Sequence, residues 1–130
     1  MSENFNLEIV SPDQLILKTE AAEVIIPSYE GLMGIQKNHI PIITFLRPGL
    51  VVVKEKDAEK KFYIEDGVVE FSSNTLVLLT STIKILDSLN KEIVEKIIKN
   101  SEEKILKNEI SDKEKYILSY KIATLKEISV

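Results

Sequence analysis

The sequence predicts a β + α chain: an N-terminal antiparallel β-sandwich followed by a C-terminal α-helical hairpin. Three observations carry this expectation. All eight glycines and prolines lie at or before Gly67, and residues 68–130 have none. The part before Leu86 is written in short apolar stretches separated by turn signals, the pattern of a sandwich or barrel. The part after it repeats apolar residues at spacings of three and four, the period of an amphipathic helix. The charges divide at the same place, with 12 acidic and 8 basic groups in residues 1–85 against 9 and 9 in residues 86–130. The expected domains are therefore 1–85, the sandwich, and 86–130, the two-helix hairpin.

The strands follow in order. "FNLEIV" (5–10) alternates, with Phe5, Leu7 and Ile9 on one face. "SPD" (11–13) is a turn signal. "QLILKT" (14–19) and "AEVIIP" (22–27) come next, the latter ended by Pro27. The segment "YEGLMGIQKNHIP" (29–41) reads as a loop. "GLVVVKEK" (49–56) begins after "RPG", and "KKFYIE" (60–65) follows a polar loop. Asp66-Gly67 before "VVEF" (68–71) predicts a hairpin with positive φ at both central residues. Ser73-Asn74 predicts another turn before "TLVLLT" (75–80).

The helices follow. In "NKEIVEKIIKNSEEKILKN" (90–108), Ile93, Val94, Ile97, Ile98, Ile105 and Leu106 form a stripe with Ser101. Glu92–Lys96, Glu95–Lys99 and Glu103–Lys107 are favourable i,i+4 pairs, each worth about 0.3 kcal/mol. "ISDKE" breaks the helix and restarts it, with Ser111 and Glu114 spaced as a capping box. In the second helix Ile117, Tyr120, Thr124 and Ile128 share a face, beside Leu118, Ile122 and Leu125. Two amphipathic helices with a short connection form an antiparallel hairpin.

Composition narrows the function. A chain of 130 residues buries roughly two-thirds of its unfolded surface and needs no staples. It has no cysteine, which excludes disulfides, thiolate zinc sites and a cysteine nucleophile. No long apolar run and no basic leader-like start are seen, so neither a membrane span nor a signal peptide is expected. A net charge of −4 argues against nucleic acid. Of 17 basic residues only Arg47 is an arginine, so bidentate phosphate or carboxylate grips are scarce.

The candidate chemistry is thin. His39 with Glu30 is the one acid–base pair to consider, but no nucleophile elbow or triad order accompanies it. "EGLMGI" lacks the glycines and the lysine–hydroxyl pair of a phosphate loop. Gly31 and Gly34 are expected to permit positive φ. Leu32 and Met33 either cap the core or, at a loop tip, mark a partner site. Three function classes stand at this point: an interaction subunit, a free-standing β-sandwich binding module for carbohydrate or peptide, and a small hydrolase using Glu30 and His39. The second would need an aromatic platform, yet there is no Trp and aromatics are 6% of the chain.

The runs "LEIVSPD", "AAEVIIPSYEGLMGIQKNHIPIITFLRPGLVVV", "EDGVVEF" and "LTS", followed by a two-helix tail, resemble the epsilon subunit of F-type ATP synthases, the equivalent of mitochondrial delta. The resemblance covers essentially the whole chain. It implies two five-stranded sheets, no catalysis, no cofactor, and a place in the rotating central stalk. Its implied partners are the gamma subunit, the ring of c subunits and, through the helices, the alpha and beta subunits. The implied location is peripheral, on the cytoplasmic face of the bacterial inner membrane. The ring contact it implies comprises Glu30, Gly31, Leu32, Met33, His39, Ile40, Pro41 and Ile42; Ser11 marks the edge against gamma.

The resemblance also implies a mobile tail. Packed down it permits turnover, and extended it blocks ATP hydrolysis. Some members hold the packed form with ATP through Leu-Asp-x-x-Arg-Ala. Here Leu86 and Asp87 match, but Asn90 replaces the arginine, Lys91 replaces the alanine, and the second helix has no arginine. Neither ATP affinity nor more than weak, salt-sensitive inhibition is expected.

Overall fold

The computed structural model describes residues 3–86, 89–107 and 110–128. Ten strands precede two helices: β1 (Phe5–Val10), β2 (Leu15–Ala21), β3 (Glu23–Ser28), β4 (Gly31–Gln36), β5 (Ile42–Leu46), β6 (Gly49–Lys54), β7 (Glu59–Ile64), β8 (Gly67–Ser72), β9 (Thr75–Leu79), β10 (Lys84–Ile85), α1 (Lys91–Ile105) and α2 (Asp112–Ile128).

The strands form two layers of five, in the orders β4-β3-β6-β7-β10 and β5-β8-β9-β1-β2. The layers are not fully separate. Ser28 of β3 pairs with Leu46 of β5, so one curled ten-stranded sheet runs through that corner. Pro27 explains the switch. It has no N–H to give to a ladder, and β3 pairs with β6 only over Glu23–Ile25. Its carbonyl accepts from Arg47 N–H at 3.0 Å. Close approach completes the corner: a Cβ on Gly49 would lie 2.6 Å from Pro27 Cβ. All pairings are antiparallel except β1 with β9.

The core lies between the layers. Alternation along β1, β8 and β9 sends Phe5, Leu7, Ile9, Val69, Phe71, Leu76 and Leu78 inward, all essentially inaccessible. Val24, Ile26, Ile35, Val51, Val53, Phe62 and Ile64 face them from the other layer.

Three expectations change. Residues 31–36, read as loop, form a strand, and so do residues 42–46, to which no element was assigned. Gly34 sits inside β4, and among the described glycines only Gly31 has positive φ, at 126°. Asp66-Gly67 is not a hairpin turn, because β7 pairs with β6 and β10 while β8 pairs with β5 and β9. The chain crosses there from one layer to the other. Thr82 Oγ1 accepts from the N–H groups of Glu65 and Asp66, and Thr80 Oγ1 donates to Asp66 O at 2.7 Å. Ser73-Asn74 is the expected tight turn, with φ of 50° and 54°.

The helical hairpin lies on the outer face of the β6–β7 side. Tyr63, Val94, Ile98 and Leu125 form a second buried cluster, separate from the first, flanked by Leu50, Ile97 and Ile122. Asn90 caps α1 by accepting Ile93 N–H at 2.8 Å. Ser111 Oγ caps α2 through Glu114 N–H, the first half of the expected capping box. Leu106 leaves the expected stripe: it ends the helix and is exposed.

Candidate functional site

The segment 28–42 is an arm made of one strand, β4, with a turn at each end, and the two turns are far apart. At one end Ser28 Oγ donates to Gly31 O at 2.7 Å and accepts Glu30 N–H at 3.3 Å, closing the β3–β4 turn. Glu30 sits at its tip. Leu32 then points out, 70% exposed, while Met33 packs on the core. Strand alternation therefore separates the two residues that looked alike in sequence. The other end is the turn after Gln36. There Asn38, with φ of 67°, donates its N–H to Asn74 Oδ1 at 2.7 Å, and Asn74 Nδ2 donates to Asn38 Oδ1 at 3.1 Å. His39 Nδ1 lies 2.7 Å from Ile40 O, and its ring meets Phe71 edge-on at 5.9 Å.

Six extended residues, Gly31–Gln36, separate Glu30 from His39, a span of about 20 Å. The structure does not bring this acid and base together, so they form no catalytic pair. Glu30–Leu32 and His39–Ile42, which the resemblance assigns together to the ring, lie at opposite ends of β4. Ser11, in the β1–β2 turn with Gln14, lies at the Glu30 end.

A second surface was not read from the sequence. On the outer face of the β5-β8-β9-β1-β2 layer, Phe45 pairs with Val68, Val68 with Leu79, and Leu79 with Val10. Partners in register share a face, so these four side chains make an apolar row across four strands. Phe45 is 66% exposed, and on the same strand face Ile43 is 72% exposed. Ile40, 71% exposed, continues the patch toward the His39 turn. Val10 is followed directly by Ser11, which places Ser11 at the margin of this face. The signal was present in "IITFL", whose second and fourth residues are the outward ones, but that stretch was not recognised as a strand.

The nucleotide-like run is divided. Asp87 lies outside the described residues. Asn90 is committed as the α1 cap, and Lys91 is the exposed first residue of that helix. Among the described residues no group of three His, Cys, Asp or Glu could hold a metal ion. Among them no helix is long and apolar enough to cross a membrane. Burial, followed by the Glu65 charge, pushes the Tyr63 phenol well above its ordinary value; this group lies under the helices rather than in an open site.

A family model described as "ATP synthase, Delta/Epsilon chain, beta-sandwich domain" matches residues 4–85. The chain is 41% identical over 130 residues to the ATP synthase epsilon chain of Pelagibacter ubique, covering 99% of this chain and 100% of that one. It is 35% identical over 96 residues to the epsilon chain of Sinorhizobium fredii, covering 73% and 72%. Its fold is similar to a chain in the Euglena gracilis mitochondrial ATP synthase OSCP/F1/c-ring structure, with TM-score 0.81, 18% identity and coverage of 98% and 82%. It is also similar to a chain in the Tetrahymena thermophila mitochondrial ATP synthase central stalk/c-ring structure, with TM-score 0.68, 13% identity and coverage of 96% and 96%.

Proposed function

This chain belongs to the delta/epsilon family of ATP synthase chains, and we propose that it is a rotor subunit of the central stalk of a proton-translocating F-type ATP synthase. In that role it couples rotation of the c ring to ATP synthesis in the catalytic head and performs no catalysis itself. It is peripheral to the membrane and held there by the complex, on the cytoplasmic face of the bacterial inner membrane.

The observation that carries the proposed contacts is the placement of exposed apolar side chains on an otherwise closed sandwich. We assign Glu30, Gly31 and Leu32, at one end of the arm, to the c ring. There a carboxylate can accept hydrogen bonds from polar ring loops while Leu32 excludes water from the contact. We assign the apolar row of Phe45, Val68, Leu79 and Val10 to gamma, with Ser11 at its margin and Ile43, Ile40 and His39 at its far side. This moves His39–Ile42 from the ring to gamma. Torque enters at the turn, crosses the buried core between the layers, and leaves through the sheet face. A close-packed interior transmits strain instead of absorbing it.

The test is affinity for gamma. Co-expressed gamma is expected to co-purify with this chain, and His39→Ala is expected to weaken that association while leaving the fold intact. A chain with no affinity for gamma would overturn the assignment. Calorimetric titration of the isolated chain with ATP is expected to give no binding heat, because Asn90 stands where the nucleotide-binding pattern has its arginine and the second helix has no arginine. Micromolar affinity would contradict this.

A further inference from the structure

The hairpin is joined to the sandwich by more than apolar burial. Tyr29, beside the tip of the β3–β4 turn, stacks on Tyr116 of α2, with centroids 6.1 Å apart and planes 14° from parallel. Tyr116 meets Tyr120 edge-on at 4.8 Å. The Tyr120 ring lies under the Arg47 guanidinium, 3.9 Å from carbon to centroid. Arg47 is anchored in turn, its Nη1 donating to Pro48 O at 3.0 Å. Four side chains thus run in unbroken contact from the β3–β4 turn, across α2, to the connection between β5 and β6. Directly after Tyr120 in the chain, Lys121 Nζ lies 2.7 Å from Glu65 Oε1. Glu65 belongs to the crossover that Thr82 holds.

Two features make this arrangement a fastening and not part of the core. The sixteen-residue core cluster contains no helical residue and closes without the hairpin. The clasp residues themselves are only partly covered: Tyr29 and Tyr116 are 39% and 41% exposed. Stacked aromatics and a cation over a ring at such sites are each worth enough to shift a local equilibrium several-fold, but not enough to hold a fold together. The rest of the hairpin's hold includes the Lys121–Glu65 pair and the small second cluster of Tyr63, Val94, Ile98 and Leu125.

We infer that Tyr29, Tyr116, Tyr120 and Arg47 form a clasp that sets how tightly the helical hairpin is docked, and that the β3–β4 turn is its release point. Tyr29 is the next residue to Glu30 and shares its short turn. A partner that displaces the turn separates the Tyr29 and Tyr116 rings and weakens the hold on α2. Linkage makes the effect reciprocal, so undocking the hairpin also changes how the turn binds its partner. Identifying that partner as the c ring rests on the function proposed above; the clasp itself does not.

The test is hydrogen exchange on the isolated full-length chain. Tyr29→Ala, a change 87 residues before Tyr116 in the chain, is expected to lower amide protection in α2 by about three- to tenfold, as is Tyr116→Ala. Strands β1, β8 and β9 are expected to keep theirs. Tyr116→Phe, which keeps the stack, is expected to stay near the parent. The double variant is expected to be little worse than Tyr116→Ala alone, because that change already breaks the stack that Tyr29→Ala removes. Unchanged α2 protection in both alanine variants would overturn the clasp. So would an equal loss in helices and strands, which would make these residues ordinary supports of the whole fold. Gamma binding is not an arm of this experiment, so its failure would leave the proposed function standing.

Discussion

The sandwich has two outer faces, and the chain treats them differently. On the β6–β7 side, Leu50 and Tyr63 are covered by the chain's own helices through Val94, Ile98 and Leu125. On the β5-β8-β9-β1 side, Phe45, Val68, Leu79 and Val10 make a comparable apolar row, and Phe45 and Leu79 stand exposed. Burying one large apolar side chain is worth about 1.5–3 kcal/mol. A bare row of this kind therefore gives up several kcal/mol that the covered face retains. The covered face shows what satisfies such a surface, namely aliphatic side chains projected from another element. On the proposed assignment, the bare face is the one that gamma completes.

The largest expected effect comes from spoiling the bare face. Phe45→Glu puts a charge in the middle of the row, where gamma is assigned. Affinity for gamma is expected to fall by about 100-fold, the scale of a central hot-spot residue, while the melting temperature of the isolated chain stays put. Surface plasmon resonance with purified gamma, beside thermal unfolding, separates the two effects. A variant that keeps both its melting temperature and its affinity for gamma would overturn the assignment of this face.

The second test removes the cover from the other face. A chain ending after residue 87 keeps the core cluster but leaves Tyr63 and Leu50 bare. It is expected to lose its helical circular dichroism and still unfold cooperatively, which would establish residues 1–85 as an independent domain. In the assembled complex the same truncation is expected to raise ATP hydrolysis by no more than about fivefold, and less at high salt. Apart from Lys121, which pairs with Glu65, the lysines of the two helices are exposed, and exposed ion pairs contribute at most about 1 kcal/mol. Unchanged hydrolysis would make the hairpin structural only.

The contrast between faces also explains what could be read in advance. Periodicity located seven of the ten strands and both helices, because each of those patterns is local. Ser73-Asn74 was legible as a turn for the same reason: both residues adopt the positive φ that the two-residue loop demands. Asp66-Gly67 carries an equally strong local signal, but Thr80 and Thr82, fourteen and sixteen residues on, take its backbone groups and make it a crossover. β4 and β5 were missed because Gly31, Gly34 and Pro41 read as punctuation, whereas pairing with β3 and β8 overrides them. The adjacent pair Leu32 and Met33 became interpretable only once β4 was known to alternate. The family resemblance supplied the segments 30–33 and 39–42, but their separation along β4 needed coordinates. Which sheet face is bare depends on where the hairpin docks, and no local window contains that.

The smallest expected effect tests the covered face from within. Tyr63 lies under the helices, and among the described residues its hydroxyl has no hydrogen-bond partner. Burial raises its pKa first, and the nearby Glu65 carboxylate adds to this. The unfolded chain releases this proton near the ordinary value of 10.0, whereas the folded chain holds it to higher pH. Above that value the unfolded state binds fewer protons, so stability falls as pH rises. The contribution is fully present below the unfolded pKa and is lost as pH climbs toward the folded one. Tyr63→Phe removes both the titrating group and the unsatisfied hydroxyl. At neutral pH it is expected to be neutral or stabilising by about 1 kcal/mol. Above pH 10 it is expected to flatten the decline seen in the parent, as urea unfolding across pH 7 to 11 would measure. If the variant declined as steeply as the parent, Tyr63 would have to be accessible in the folded chain. The helices would then not cover this face in solution, and the contrast between the two faces would be lost.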